Sequence, residues 1–186
     1  LAGRVIGAMD GNHHFEFSSG ESDTQLLCRL LKCKYLGNLA GLRLRIEGAS
    51  GEGHAFVLTG IVHHGHWGSG ASTPGGDLNS IDSKGRPWDV DFIMCGHTHQ
   101  KQIHISEVLT IPQKGQLYPK AKQKAIIRTG SFLRQYVPDT QEKSIERFSE
   151  RKMFPPAMLG TDPLFIRVSC FHQGGKRRYC ELRKRP

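Results

Sequence analysis

Asp91-Phe92-Ile93-Met94-Cys95-Gly96-His97-Thr98-His99 is a short apolar run closed by a glycine and two histidines. Its length and its bounding charge and glycine read as a buried strand ending in a sharp turn. Glycine at the turn accepts backbone angles that other residues avoid. His97 and His99 then stand at the C-terminal end of a strand, where α/β sheets place ligands. In an extended segment, residues at i and i+2 share a face, roughly 6–7 Å apart at the backbone. That spacing suits two neighbouring metal ions. The competing reading, two exposed loop histidines without a task, is decided by the rest of the chain.

Two further histidine groups follow strand candidates in the same way. Residues 4–9 form a short apolar strand candidate that runs into Asp10-Gly11-Asn12-His13-His14. Residues 54–62 read as a strand that delivers His63-His64-Gly65-His66-Trp67. Three strand-borne histidine loops point to one sheet edge on which ligands converge. Imidazole suits zinc, iron, manganese or nickel, and the carbonyl of Asn12 can join it.

The remaining elements are read from local signals. Ser22 and Gln25 form a capping box, and Asp23 suits the positive end of the helix dipole. Leu26, Leu27, Leu30 and Leu31 then give a helical stripe, expected to stop near residues 34–37. Residues 39–46 alternate apolar side chains with arginine, as a half-exposed strand does, and pair with 54–62 as a hairpin. Residues 65–85, rich in Gly and Ser, are expected to be a long functional loop. Residues 101–111 and 124–129 are strand candidates. Residues 139–151 permit a helix, and Phe154-Pro155-Pro156 would end it. Residues 164–171 and 177–183 read as a closing hairpin around Gly174-Gly175. The whole implies a mixed α/β (α+β) fold in one domain spanning 1–186, with a basic hairpin strand or tail over 174–186.

Composition bounds the partners. The chain has 186 residues with a formal net charge of +9, and 37% are apolar. That is enough for one globular core, and no apolar run approaches membrane-spanning length. A basic surface favours polyanions such as nucleic acid, phosphorylated substrates or anionic lipid. In the tail Lys176, Arg177, Arg178, Arg183, Lys184 and Arg185 face one acid, Glu181. Cys28, Cys33, Cys95, Cys170 and Cys180 are odd in number and fit no zinc-finger spacing. They read as reduced and mostly buried, which with the absence of a signal-peptide pattern implies a cytoplasmic protein with no membrane partner.

Gly11-Asn12-His13, His63-His64-Gly65 and Gly96-His97-Thr98-His99, in this order and each after a strand, resemble the motifs of the calcineurin-like metallophosphoesterases. Bacterial and phage members are the nearest in pattern. Tyr35-Leu36-Gly37, the Asp89/Asp91 pair before the last motif, and Thr129-Gly130-Ser131-Phe132-Leu133 add to the likeness. The resemblance runs from about Arg4 to Val168. It implies a β-sandwich flanked by helices, two divalent ions (Mn, Fe, Zn or Ni), and hydrolysis of a phosphoester, most plausibly a phosphodiester, by a hydroxide held between the ions. Asn12, one of His63 and His64, and His97 would hold the second metal, and His99 the first. His13 would act on the phosphoryl oxygens or the leaving group. His66 would touch substrate, which could be a nucleotide or nucleic acid.

Two departures qualify what the resemblance implies. The family's D-x-H and G-D-x-x motifs, which precede G-N-H, are absent, so the chain reads as N-terminally incomplete. His14 stands where the family has an acid that orients the preceding histidine. The alternatives are therefore an inactive remnant of that fold that binds nucleic acid through its basic face, or a single-metal module of Asn12, one middle histidine and His97. Asp10, Asp77, Asp82 and Asp89 have no spacing that marks them as replacement ligands. Arg128 and Arg134 read as surface charges, with contact to a phosphate as the other possibility.

Overall fold

The computed structural model describes residues 3–47, 55–65, 76–111, 118–131, 160, 164–171 and 177–184. His66, Arg134, the helix expected over 139–151 and the turn at Gly174-Gly175 lie outside them.

The mixed α/β class holds. A two-residue strand β1 (Gly7–Ala8) leads through the first histidine loop to helix α1 (Asp23–Leu31). The capping box is formed: Ser22 Oγ accepts from the Gln25 N–H at 3.1 Å, and the Ser22 N–H donates to Gln25 Oε1 at 2.8 Å. The helix ends at Leu31, the last leucine of the stripe, before the expected stop near residues 34–37. Lys32 takes a left-handed conformation (φ 53°), and the chain turns at once into β2 (Lys34–Tyr35), which pairs parallel with β1. The first strand candidate is thus only two residues long and belongs to a small sheet of its own.

The main sheet has five strands in the order β3-β4-β5-β7-β6. β3 (Leu39–Glu47) and β4 (Ala55–His63) form the expected antiparallel pair. β4, β5 (Phe92–Cys95) and β7 (Lys120–Thr129) run parallel, and β6 (Lys101–Thr110) returns antiparallel to β7. Period-two alternation sends Phe92, Ala125 and Ile127 to one face, where they join Leu58 and Ile103. Ile93, Cys95 and Ile126 go to the other, under Ile81.

Ile81 belongs to α2 (Gly76–Gly85), so the last ten residues of the expected long loop are helical. Leu78, Ile81 and the neighbouring Val90 pack this segment against the sheet. Two apolar positions, Leu78 and Ile81, among Gly, Ser and Asp are too few to show a helical period. Burial of Ile81, 1% exposed, decides the conformation instead. The buried ammonium of Lys124, reaching from β7, donates to the carbonyls of Gly85 at 2.7 Å and Trp88 at 3.0 Å. It adds a donor to the carbonyl of Gly85, the last residue of α2, which also accepts from the Trp88 N–H at 3.1 Å.

β8 (Leu164–Phe171) and β9 (Arg177–Lys184) pair antiparallel as expected, and β9 lies near β6 and β7. Cys28, Cys33 and Cys95 are free thiols; Cys28 and Cys95 are buried and Cys33 half-buried. No helix among the described residues is long and apolar enough to cross a membrane.

Candidate metal centre

The parallel pairing of β4 and β5 brings their C-terminal ends side by side, with His63 opposite Cys95. The two histidine turns that follow are therefore neighbours. The Gly96 N–H donates to the His63 carbonyl at 3.3 Å, joining the turns through the backbone. The first histidine loop does not come from this sheet, although the sequence suggested a shared edge. It arrives from the β1–β2 pair and packs against the same turns. A Cβ on Gly11 would stand 3.3 Å from the His64 ring, and one on Gly96 would stand 3.3 Å from the His64 carbonyl.

Three ligand-type atoms meet there. His64 Nε2 lies 3.0 Å from Asn12 Oδ1, His97 Nδ1 lies 3.3 Å from Asn12 Oδ1, and His97 Nδ1 lies 3.2 Å from His64 Nε2. The two rings meet edge to face, with centroids 5.1 Å apart. Around an ion with bonds of roughly 2.0–2.1 Å, adjacent ligand atoms stand about 3.0 Å apart at right angles and about 3.4 Å apart at the tetrahedral angle. The triangle falls in that interval on every side. Two imidazole nitrogens and an amide oxygen are also a donor set that suits zinc and its neighbours. The three residues thus fit a single divalent ion. Among the described residues no group of three or more His, Cys, Asp or Glu side chains is gathered to hold a metal; the triangle has two histidines, and its third member is the amide.

Of the adjacent histidines it is His64 that enters the triangle. His63 Nδ1 instead accepts from the Gly65 N–H at 2.8 Å, closing the turn after β4. Burial, and then the charge of Lys84, holds His63 below the usual histidine range. Burial likewise depresses His64, followed by the charges of His97, His63, His99 and His13. That ordering also places every one of the described candidate histidines within electrostatic reach of His64.

The final turn is not extended. His97 and His99 both take left-handed conformations, with φ of 69° and 56°. The same-face argument from strand alternation therefore does not govern the pair, and His97 alone joins the triangle. Histidine is among the few residues that enter this region with some frequency.

Asp10, Asp82, Asp89 and Asp91 are engaged elsewhere. Asp10 is buried and accepts from Ser22 Oγ at 3.1 Å and from the Tyr35 hydroxyl. Asp82 pairs with Arg86, Asp89 with Lys122, and Asp91 with Lys122 and with Thr59. His14 turns away from the centre: Nδ1 is 2.9 Å from the Gly11 carbonyl and Nε2 is 3.4 Å from Glu16. The Gly11 carbonyl first, then Glu16, raises its pKa. His14 thereby clips the loop that carries Asn12 and His13. Cys95 packs in the apolar cluster with Ile81, Ile93 and Ile126, where burial pushes its thiol up to about 12 despite the nearby Arg128.

Asp10 is the residue that sequence spacing did not single out for a positioning task. Burial pushes its pKa up, but hydrogen bonds from Tyr35, Thr24 and Ser22, with the charge of His14, outweigh it and hold the carboxyl below its ordinary value. It thus anchors the start of the Gly11-Asn12 loop to α1 and β2. A carboxylate with a lowered folded pKa stabilises the fold above its unfolded value of about 3.9, and that stability is lost as pH falls through the folded value. Tyr35→Phe is expected to cost about 1 kcal/mol at neutral pH, discounted for the partial exposure of Tyr35, and less once pH has fallen below the lowered pKa of Asp10. Chemical denaturation at the two pH values checks this; equal losses at both would show that the hydroxyl does not act through Asp10.

Arg128 is not a surface charge as the sequence suggested. It is 1% exposed, and its guanidinium lies beneath the last histidine turn. The signal available was only its place in an Ala125-Ile126-Ile127 run, which marks burial but not the direction of the side chain.

No family model matches the chain, and no curated protein matches it. Among solved structures it is similar to Vps29 from Entamoeba histolytica, whose structure was determined in complex with zinc. The identity is 16%, the match covers 87% of this chain and 75% of that chain, and the TM-score is 0.31.

Proposed function

We propose that the chain is a metal-dependent phosphoester hydrolase of the calcineurin-like kind, with a divalent ion held by Asn12, His64 and His97. The observation that carries this reading is the triangle of ligand atoms with sides of 3.0, 3.3 and 3.2 Å. A divalent ion there would lower the pKa of water and neutralise charge on phosphoryl oxygens. His13, exposed on the same loop as Asn12, would act on the substrate's oxygens or leaving group. His99 is the candidate ligand for a second ion. The phosphoester is a diester, and nucleotides or nucleic acid suit the net charge of +9.

The engagement of Asp10, Asp82, Asp89 and Asp91 with other partners favours one alternative. With no described carboxylate in the triangle, a single-metal module without hydrolytic activity accounts for the same geometry. Hydrolysis of an aryl phosphodiester with added manganese separates the two. The hydrolase reading expects manganese-dependent turnover that His64→Ala abolishes and His63→Ala largely spares. One bound ion per chain with no turnover would sink it and leave the single-metal module.

Metal binding should follow the histidines' protonation. Burial and its neighbours' charges hold His64 below its ordinary pKa, so it stays neutral and competent to bind into mildly acidic solution. Zinc affinity is therefore expected to be flat at neutral pH and to fall with acidification only below the ordinary histidine value of about 6.5, by about tenfold per pH unit for each ligand imidazole that takes up a proton. Calorimetric zinc titrations on either side of that value would show it. An affinity that does not change with pH would exclude imidazole ligands.

A further inference from the structure

We infer that Thr98, pinned from below by Arg128, is the positioning residue that sets the orientation of His97; this rests on the metal reading of Asn12, His64 and His97. β7 lies beside β5, with Arg128 in register with Cys95, so the Arg128 side chain starts alongside the last residue of β5. It is 1% exposed and ends on one hydroxyl: Nε reaches Thr98 Oγ1 at 3.2 Å and Nη2 reaches it at 2.7 Å, while Nη1 reaches Gln102 Oε1 at 3.4 Å. A buried guanidinium is a fixed peg, because moving it would strand a desolvated charge.

Thr98 sits between the two left-handed histidines, and its N–H closes the turn on the Gly96 carbonyl at 2.9 Å. Left-handed backbone at two non-glycine residues persists only where the surroundings over-determine it. Threonine is stiff about χ1, so fixing its oxygen also fixes its Cα and the peptide groups on either side. His97 is the residue before it, and its Nδ1 stands 3.2 Å from His64 Nε2. The path from Arg128 through Thr98 to His97 therefore sets one corner of the triangle. Groups that orient a metal ligand from behind typically change metal affinity by about 10–100-fold when removed.

Thr98→Val keeps the shape and removes the acceptor; Thr98→Ser keeps the acceptor. Zinc titration of the full chain, with thermal unfolding recorded in parallel and with NMR of the histidine ring nitrogens before metal is added, tests the assignment. The expected result is a 10–100-fold loss of zinc affinity in Thr98→Val, affinity within about threefold of wild type in Thr98→Ser, and a metal-free shift of the His97 ring signals in the valine variant alone. A folded Thr98→Val that binds zinc as tightly as wild type, with unmoved His97 signals, overturns the inference while the metal reading stands. If wild type binds no zinc but the His97 signals still move in Thr98→Val, the metal reading fails and the positioning of His97 stands. Should the valine variant not fold, Arg128→Lys, which replaces the two-pronged donor with a single ammonium, is read by the same measurements.

Discussion

Replacing His97 with alanine removes zinc binding: the affinity falls by at least about a hundredfold, beyond the 10–100-fold typical of losing a group behind the ligand. His97 Nδ1 is one of only three atoms in the triangle, 3.2 Å from His64 Nε2 and 3.3 Å from Asn12 Oδ1. With it gone, the described cluster offers one imidazole and one amide, too few to outcompete water for a divalent ion. Two controls make the result specific. His63→Ala should leave affinity within about threefold, because His63 Nδ1 is occupied by the Gly65 N–H. His97→Asn should lose most of the zinc affinity while keeping the fold, since asparagine also tolerates the left-handed backbone at φ 69°. Calorimetric titration beside thermal unfolding separates loss of a ligand from loss of structure. Zinc binding that survives in His97→Ala, or that disappears equally in His63→Ala, would remove the triangle as the site.

The second large effect concerns the sheet that carries the site. Gly60→Ala is expected to cost about 3 kcal/mol, at the upper end for overpacking. Gly60 lies opposite Phe92 in the β4–β5 register. A Cβ there would stand 2.2 Å from Phe92 Cε2 and Cζ, and 2.5 Å from Cδ2. The ring has little freedom to withdraw: Phe92 is 3% exposed among Leu58, Ile103, Ala125 and Ile127. For a chain of this size the cost corresponds to a melting temperature lower by about 6–12 °C. Pairing Gly60→Ala with Phe92→Leu should recover part of the loss, so that the double variant is more stable than the sum of the two single losses implies. Additive losses would show that the clash with Phe92 is not the cause. Because β4 and β5 deliver His64 and His97, the zinc affinity of Gly60→Ala should fall along with its stability.

The same glycine shows where sequence reasoning stops. Glycine inside a strand weakens it by local rules, and can also mark a place where something packs closely. Only the register, which sets Gly60 beside Phe92, says which applies. The helix over 76–85 has the same character. Its few apolar residues carry no usable period, and the sheet supplies the burial that forms it.

Local signals determined a good deal. The capping box at Ser22 and Gln25, the alternation in β3 and the apolar run of β5 depend on residues close in sequence, and each formed where its pattern lay. The three histidine groups were also legible, because strand ends and glycine turns are local. Tertiary structure alone decided how they combine. Whether His63 or His64 faces the centre depends on the turn that the Gly65 N–H closes. Whether His97 and His99 share a face depends on two left-handed residues that the buried Arg128 beneath them helps to hold. That Asp10 is bound by Tyr35 and Ser22, and so takes no place in the triangle, depends on α1 and β2 folding back over the first loop. The contacts of Asn12 with His64, of Asp10 with Tyr35 and of Arg128 with Thr98 join residues distant in the chain, so no window of the sequence contains them.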